Sequence, residues 1–468
     1  MAHDKNQNQN QNQNKNENKI EQFKDKLFAA AKQKGFTDCE IYYVNGSSFS
    51  VKVFEGEIRE YKNSGDTGLS FRGTWKGKMG YAFTERIGDD AISFLLDNAA
   101  GNAEIIEDSD VEDLYAGSSS YPAVKLYDES LEKVTPEEKI ALALKMEKAA
   151  KNFDKRVAAV DYCGVETGEC ERYIANTLGL SVCERSNIAG VYSWPRVQGE
   201  DGQVKTYGET WMGKGLRAFD AEGFGRDTAK EALSYLGAKS IPTGMYKAIF
   251  DRNAMGNILE TFAKIFSAEE VQKGFSLLKD KLNSKIAAGI VTIRDDPLLD
   301  HLSGSAIFDG EGVAAKNKAV VENGLLKTYL HNRKTAKKDG VEPTGNGFKS
   351  SFKAAVGIAP ANFYLAPGTT SRDTLVTQMG DGLIITGLEG LHSGANSVSG
   401  DFSLSAEGFL VRGGKKTRAV EQITIAGNFF TLLKDITAVA SDLEFKGNVN
   451  SPSVLVREVS VAGQSHGE

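Results

Sequence analysis

Hydrophobic and polar positions alternate with two different periods at the start of the chain. Apolar residues three and four apart predict a helix that is capped by Asn18 with Glu21 and ends at Gly35. From Cys39 to Thr84 the period falls to two, which predicts an antiparallel meander. The hairpin turns predicted within this meander are Asn45-Gly46, Glu55-Gly56 and Lys76-Gly77.

Helical periodicity returns after the meander. Apolar residues around Leu95 predict a second helix, and residues 101–133 have the composition of an acidic loop. Thr135-Pro136 followed by Glu138 is typical of a capping box and predicts a helix that continues to about Phe153. These two helices separate the meander from the strands that follow it.

A second group of strands is predicted over residues 157–219, and a helix from Asp227 to about Leu236 follows it. Turns in this region are predicted at Gly164, Gly179 and Gly202. The segment Ser240–Gly244 contains Pro and Gly and has the composition of a connector between domains.

The second half of the chain opens with a predicted strand, Met245–Asp251, and a strongly apolar helix that reaches Phe266. Ser267 and Glu270 cap a further helix to about Leu282. Beyond Gly289 almost every segment has the pattern of strands joined by Gly turns. This half is therefore predicted to be mostly antiparallel β-structure with two helices at its start.

These patterns predict an α+β fold. We expect a disordered Asn/Gln-rich tail over residues 1–18 and an N-terminal α/β-meander domain over residues 19–239. The latter has two sub-parts, at about 19–133 and 134–239, and residues 240–468 form a large antiparallel β-rich C-terminal domain.

Composition supports this picture and narrows the partners. Gly occurs 49 times and Pro only 9 times in 468 residues, as expected for antiparallel strands with many tight turns. The net charge is −7, and basic runs do not exceed two lysines, so we expect no nucleic-acid partner.

The cysteines and the apolar runs bear on localisation. Four cysteines are too few to hold a chain of 468 residues as a disulfide scaffold, and they have the pattern of reduced thiols. They are Cys39, Cys163, Cys170 and Cys183. No signal-peptide pattern and no apolar run of about 18 residues is present, so we expect a cytoplasmic protein with no membrane partner.

The histidines and acidic residues give no clear metal site. His301, His331 and His392 are 30 or more residues apart, and no histidine pair has zinc-helix spacing. A cluster of acidic residues with one histidine could bind a hard cation, although a polar loop with Asx turns fits it better. The cluster comprises Asp295, Asp296, Asp300, His301 and Asp309.

The sequence also indicates no clear serine nucleophile and no clear Gly-rich segment for peptide binding. Ser393 and Ser399 lie in Gly-rich strands without the strand-to-helix turn of a nucleophile elbow. The segments Gly345–Gly347 and Gly380–Gly400 either form simple hairpin turns or offer backbone groups to an extended peptide by strand addition. Composition and spacing alone therefore indicate no catalytic centre.

Several segments together are more specific than any of them alone. They are Thr292–Pro297, Phe308–Gly312, Val321–Lys327, Pro343–Gly347, Asn396–Ser403 and Ile423–Asn428. In sequence, order and approximate spacing they resemble the TldD/PmbA (TldE) family, also called modulators of DNA gyrase. The resemblance covers about residues 20–462.

The resemblance implies peptide hydrolysis by an assembly of two subunit types. TldD-type subunits carry a helical H-E-x-x-x-H motif for zinc and a later cysteine ligand. The two subunit types are similar in fold, and they pair to enclose a cavity in which unfolded peptides are cut.

This chain departs from the zinc motif. Placing Glu260 on the motif's Glu puts Leu259 and Lys264 where the histidines would stand, and no cysteine follows Cys183. The resemblance therefore implies a PmbA/TldE-type subunit that binds no metal and has no catalytic residue of its own. Zinc is expected in a TldD-type partner.

Two segments are the candidate peptide-contacting surfaces by resemblance. Their residues are Gly345, Asn346 and Gly347 in one turn, and His392, Asn396, Gly400 and Asp401 in a later loop. The expected partners are an unfolded peptide and either a TldD-type subunit or a second copy of this chain. Two alternatives stay open: a homodimeric hydrolase that uses Asp295, Asp296, Asp300 and His301, and a non-enzymatic binding protein that regulates a topoisomerase.

Overall fold

The computed structural model describes residues 19–105 and 113–464. The predicted tail over residues 1–18, with the cap at Asn18, lies outside this range. Within it, none of the helices combines the length and the apolar character needed to cross a membrane.

The N-terminal part is built from long strands flanked by helices. Its elements are α1 (residues 19–34), β1 (Cys39–Phe54), β2 (Glu57–Trp75), β3 (Lys78–Thr84), α2 (Asp89–Ile105), α3 (Glu129–Glu132), α4 (Pro136–Lys151), β4 (Val157–Asn176), β5 (Ser181–Gln198), β6 (Val204–Thr206), β7 (Glu209–Gly213) and α5 (Ala221–Ser234). The strands form one antiparallel sheet in the order β3-β2-β1-β4-β5-β6, and β7 also pairs with β5.

Only some of the turns predicted for this sheet from single Gly and Asn residues are formed. Glu55-Gly56 and Lys76-Gly77 have positive φ at both positions and form the predicted two-residue hairpins. The turns predicted at Asn45-Gly46 and Gly164 are wrong, because both segments lie inside strands that are paired on both sides. Pairing over 16 to 20 residues outweighs the turn preference of a single glycine.

Helices cover the sheet in two groups and form two hydrophobic cores. Helices α1 and α2 pack on β1, β2 and β3, and helices α4 and α5 pack on β4 and β5. Helix α4 has the predicted capping box, in which Thr135 and Glu138 each accept a hydrogen bond from the other's backbone N–H.

Helix α5 begins earlier than predicted. The Asp220 carboxylate accepts a hydrogen bond from Gly223 N–H at 2.9 Å, so the helix starts at Ala221 instead of Asp227. Gly225 lies against α4, and a Cβ atom there would be 2.3 Å from the carbonyl oxygen of Met146. Gly225, which breaks the helical pattern in the sequence, is therefore required for the close packing of α5 on α4.

The C-terminal part begins with a strand and helix and continues with short elements. Its elements are β8 (Gly244–Phe250), α6 (Arg252–Phe262), α7 (Ala268–Gln272), β9 (Ile293–Asp295), β10 (Lys318–Glu322), β11 (Leu325–Leu326), α8 (Arg333–Asp339), β12 (Gly347–Phe348), β13 (Gly357–Ile358), β14 (Phe363–Leu365), α9 (Arg372–Met379), β15 (Gly382–Glu389), β16 (Asp401–Arg412), β17 (Lys415–Asn428), α10 (Phe429–Asp435), β18 (Ile436–Val439), β19 (Val449–Asn450) and β20 (Val454–Ala462).

These strands form a ring and two smaller sheets. Strands β17, β16, β15, β8 and β20 are joined in sequence, and β20 pairs again with β17, which closes the ring; β18 pairs with β20 outside it. A second sheet has the order β11-β10-β9-β14-β19, and β12 pairs with β13. Most pairs are antiparallel, as predicted, but β8–β15 and β14–β19 are parallel.

The α+β fold class is confirmed, with corrections to the helices of the second half. The helix predicted to reach Leu282 ends at Gln272, where Gly274 adopts a positive φ of 77°. Helices α8, α9 and α10 lie where only strands were predicted. They have seven or eight residues each, too few for a clear apolar period.

Candidate functional site

Helix α6 and the short 3-10 helix that follows it, Ala263–Phe266, carry the positions that the family resemblance aligns with the zinc motif. Helix α6 is capped by Asp251, whose carboxylate accepts hydrogen bonds from Asn253 N–H at 3.0 Å and Ala254 N–H at 2.9 Å. Leu259 is fully buried in the core of the C-terminal part, whereas Glu260 and Lys264 are exposed. The helical period places neighbouring residues on different faces, so Leu259 and Glu260 point in different directions.

These three positions do not fit a zinc ion. Leu259 has no ligating atom and packs in the hydrophobic core, and the ammonium of Lys264 repels a dication. Across residues 19–105 and 113–464, no three His, Cys, Asp or Glu side chains are grouped closely enough to hold a metal.

A cleft of about 950 Å³ lies beside α6, between the two parts of the chain. This volume is within the range of pockets that bind small molecules and peptide segments. The N-terminal part contributes Trp194, Thr206–Thr210 and Tyr235, and the C-terminal part contributes residues of α6, β15, β16, β17 and the segment 444–451.

Acidic side chains dominate the charge of this cleft. Six glutamates line it, against two cations, Arg252 and Lys446. The glutamates are Glu209, Glu260, Glu389, Glu407, Glu421 and Glu444.

Three of the six glutamates are neutralised by ion pairs. Lys446 pairs with Glu209 and also donates to the Asn253 side-chain oxygen at 3.1 Å. Arg252 Nη1 lies 2.7 Å from Glu444 Oε2. Lys205, behind the lining, pairs with Glu421.

Glu260, Glu389 and Glu407 form a second group. None of them has an ion-pair partner in the part of the chain that the structure describes. Burial raises the pKa of Glu407; the charge of Lys205 opposes this effect and the charge of Glu389 adds to it. The cleft therefore holds negative charge that the chain itself does not neutralise.

Two tyrosines form an aromatic wall of the cleft. The rings of Tyr207 and Tyr235 are stacked with their centroids 6.0 Å apart. Tyr207 Oη donates to Glu209 Oε2 at 2.9 Å, and Tyr235 Oη is 2.7 Å from Thr386 Oγ1. Burial raises the pKa of both phenols, so they stay neutral at physiological pH.

The Gly345–Gly347 turn lies away from this cleft and is held by buried carboxylates. Asn346 is fully buried, and its amide nitrogen donates to Asp295 Oδ2 at 2.7 Å and to Ala359 O at 3.0 Å. Gly347 N–H donates to Asp309 Oδ2 at 2.9 Å. The backbone and amide groups of this turn are therefore already used within the fold.

Asp309 is the centre of this buried carboxylate group. It accepts three backbone N–H groups, from Gly347 and, at 2.9 and 3.0 Å, from Glu311 and Val313. Glu311 Oε2 accepts from Arg333 N–H at 2.8 Å. Burial raises the pKa of Asp309, and the nearby Glu311 charge raises it further.

The remaining residues of the acidic cluster cap loops in the same way. Asp295 is fully buried and accepts from Lys318 Nζ at 2.8 Å, and Asp296 accepts from Asn317 Nδ2 at 2.6 Å. Asp300 accepts from Lys125 N–H at 2.9 Å, next to half-buried His301. These contacts favour the polar-loop interpretation of the cluster and engage Asp295 and Asp296, two of the carboxylates that a homodimeric hydrolase would need.

The His392–Asp401 loop connects β15 to β16 on the surface. The Asn396 side-chain oxygen accepts from Val398 N–H at 2.9 Å and Ser399 N–H at 3.2 Å, and Asn396 N–H donates to Asp401 O at 2.8 Å. His392 and Asp401 are exposed, whereas Gly400 is buried. The structure thus places this loop and the Gly345–Gly347 turn on separate β-elements, and their assignment to peptide binding stays a prediction.

The other histidine and the cysteines have structural surroundings. His331 is buried and its Nδ1 lies 3.3 Å from Thr335 Oγ1; burial lowers its pKa. None of the four cysteines forms a disulfide, and Cys39 and Cys163 are buried. Burial raises the pKa of Cys39 to about 12, so this thiol is unreactive at neutral pH.

The cleft itself was not found from the sequence. Its lining comes from segments as far apart as Trp194 and Ser451, and no local motif joins them. One signal was present: the alternation of Asp401–Arg412 changes phase directly after Glu407, at a register shift between Ala406 and Gly408.

Three family models match successive parts of the chain. They are PmbA/TldA metallopeptidase domain 1 over residues 39–103, the central domain over residues 129–236 and the C-terminal domain over residues 243–463. A metalloprotease PmbA homolog of Haemophilus influenzae is 30% identical over 455 residues, covering 93% of this chain and 94% of its own length. The chain therefore belongs to the PmbA/TldA metallopeptidase family.

Other relatives agree with this assignment. Metalloprotease PmbA of Escherichia coli O157:H7 is 26% identical over 440 residues, which are 93% of this chain and 94% of its own length. A crystal structure from Thermotoga maritima, described as a modulator of a DNA gyrase, has a TM-score of 0.88 and 34% identity, over 95% of this chain and 100% of that one. TldE of Thermococcus kodakarensis shares the fold, with a TM-score of 0.86 and 22% identity over 94% of this chain and 100% of its own.

Proposed function

We propose that this chain is the PmbA/TldE-type subunit of a TldD/TldE-like metalloprotease, acting on unfolded peptides without zinc ligands of its own. The observation that carries the proposal is the burial and chemistry of the two aligned positions on α6 and on the 3-10 helix after it. Leu259 is buried in the core and Lys264 is exposed at the two positions where the resemblance would place histidines. The metal would then belong to a TldD-type partner.

The cleft beside α6 supports a role in peptide binding. It opens between the two parts of the chain, and the exposed Glu260 faces it from the same helix that the motif occupies. A subunit with no metal can still build part of a peptide chamber, because binding and positioning need only surface groups and backbone. The exposed His392–Asp401 loop is the further candidate contact, whereas the groups of the Gly345–Gly347 turn are already used within the fold.

The thiols support a reducing compartment for the assembly. None of Cys39, Cys163, Cys170 and Cys183 forms a disulfide. Free thiols are the usual state of cysteines in the cytoplasm, where we place the assembly.

A cleavage assay tests the proposal. The full chain, a TldD-type subunit and an equimolar mixture are each incubated with an unfolded fluorogenic peptide, with and without a chelator. We expect chelator-sensitive cleavage by the mixture and none by this chain alone. Chelator-sensitive cleavage by this chain alone would contradict the proposal.

A matched pair of variants tests the part played by the cleft. Asn257→Trp places a large ring in the cleft beside α6, and Asn98→Trp places the same ring on the exposed face of α2. We expect the first variant to slow cleavage by the mixture at least about tenfold, since it narrows the cleft. The second variant should cleave at the normal rate; equal rates for both would remove the cleft from the proposal.

A further inference from the structure

The cleft beside α6 carries more negative than positive charge, because six glutamates and only two cations line it. Lys446 and Arg252 are engaged by Glu209 and Glu444, and Lys205 is engaged by Glu421. Every cation among the lining residues is therefore already paired.

The unpaired glutamates come from three different elements that meet at the cleft. Glu260 lies on α6, Glu389 ends β15, and Glu407 lies at the irregular position of β16. Glu407 rests against Gly387, where a Cβ atom would be only 2.6 Å from its Oε1. The glycine thus provides the space that the carboxylate occupies.

The rest of the lining suits the stem of a long side chain. Trp194 and Tyr207 contribute aromatic surface to the same cleft, and the amide and hydroxyl groups of Asn257, Thr386 and Ser405 contribute hydrogen-bonding groups. Lysine and arginine side chains combine an apolar stem, which packs on rings, with a charged end that favours carboxylates.

We infer that the cleft selects extended peptides that carry lysine or arginine, whose cationic ends are attracted by the negative charge that Glu260, Glu389 and Glu407 place along the cleft. This inference rests on the proposed peptide-binding role and adds the class of side chain that is preferred. A metal ion fits less well, because within the described ranges no three acidic, His or Cys side chains are close enough to share one ion. An anionic ligand would be repelled by the carboxylates that have no ion-pair partner.

Direct binding to the full chain tests the inference, because every lining residue belongs to this chain. Three fluorescein-labelled peptides of the same Gly/Ser/Ala backbone are compared by anisotropy, with two central lysines, two norleucines or two glutamates. We expect the lysine peptide to bind at least about tenfold more tightly than the norleucine peptide, and the glutamate peptide to bind most weakly. The preference should decrease as salt is added.

Variants assign the preference to the three carboxylates. The triple variant Glu260→Gln, Glu389→Gln, Glu407→Gln should bind the lysine and norleucine peptides equally. The control Glu322→Gln, an exposed residue of β10 outside the cleft, should keep the normal preference. A preference that survives in the triple variant would overturn the inference.

The remaining outcomes separate this inference from the proposed function. Equal binding of the three peptides by the unaltered chain would overturn the charge selection and leave the peptide cleft in place. No binding of any peptide would overturn both the selection and the role of the cleft. Binding of calcium or magnesium alone, in competition with the lysine peptide, would replace the peptide cation by a metal ion.

Discussion

Two groups of carboxylates in this chain have opposite surroundings. Asp295 and Asp309 are fully buried, and between them they accept hydrogen bonds from backbone N–H groups, an amide and an ammonium. Glu260, Glu389 and Glu407 line a cleft and have no ion-pair partner among the described residues. Both groups are acidic clusters, yet only the second has charge left for a ligand.

In this comparison, hydrogen-bond partners, and not residue type or clustering, distinguish the acids that hold the fold from those with charge left for a ligand. A buried carboxylate that satisfies backbone donors stabilises a loop, and its loss leaves those donors unpaired. A carboxylate without partners at a cavity contributes little to folding and is available for binding.

The largest loss of stability is expected when a carboxylate of the first, buried group is replaced. Asp309→Ala leaves the N–H groups of Glu311, Val313 and Gly347 without an acceptor in the interior. We expect a loss of about 4 kcal/mol or more in the free energy of unfolding, since each unpaired buried donor costs about 1–3 kcal/mol. Urea unfolding measures this free energy, with Glu322→Ala as the exposed control. A loss below about 1 kcal/mol in Asp309→Ala would contradict the structural role of Asp309.

A second prediction compares neighbouring residues of α6. Leu259→Ala removes a fully buried side chain from the core, and we expect a loss of about 3 kcal/mol. Glu260→Ala changes an exposed residue of the cleft, and we expect a change within about 0.5 kcal/mol. Denaturant midpoints of both variants check this; equal losses would mean that α6 is packed differently.

A third prediction concerns Asp251, a buried carboxylate that caps α6. Burial raises its pKa to about 6, above the usual 3.8, so the folded chain holds this proton more tightly than the unfolded chain does. The resulting stabilisation is complete below about pH 4 and is lost as the pH rises through about 6.

Asp251→Asn keeps the capping oxygen and removes this titration. We expect the pH dependence of the unfolding free energy between pH 4 and 7 to become flatter by up to about 3 kcal/mol. Urea unfolding at several pH values measures the slope. Asp251→Ser, an uncharged cap, should flatten it as well; an unchanged slope in both variants would contradict the assignment to Asp251.

The smallest effect on stability is expected where the second group is removed. The triple variant Glu260→Gln, Glu389→Gln, Glu407→Gln should unfold within about 1 kcal/mol of the unaltered chain. Because burial raises the pKa of Glu407, its replacement should be neutral or slightly stabilising above neutral pH. A large loss, measured by thermal unfolding, would place these residues with the structural carboxylates.

Local chemistry determined which elements could be predicted from the sequence. The capping box at Thr135 and the hairpin at Glu55-Gly56 are set by neighbouring residues and were predicted correctly. Asn45-Gly46 was misread because its conformation is fixed by pairing with two distant strands. The short helices α8 to α10 depend on tertiary packing and left no clear period.

The candidate site likewise has features set by neighbouring residues, which could be predicted, and features set by distant residues, which could not. An altered zinc motif at Leu259, Glu260 and Lys264 could be predicted by resemblance, because a motif is contiguous in sequence. The cleft could not be located, since Trp194, Glu407 and Lys446 come together only when the two parts of the chain fold against each other. The acidic cluster from Asp295 to Asp309 attracted notice in the sequence, but its partners, such as Asn346, are distant along the chain.

The most direct test of the account is the zinc content of the purified protein, measured by mass spectrometry. The full chain is analysed alone and after co-purification with a TldD-type subunit. The account predicts zinc in the paired sample, at about one ion per pair, and none above background in the chain alone. Stoichiometric zinc in the chain alone would contradict the account, and His301, His331 and His392 would be the first residues to replace.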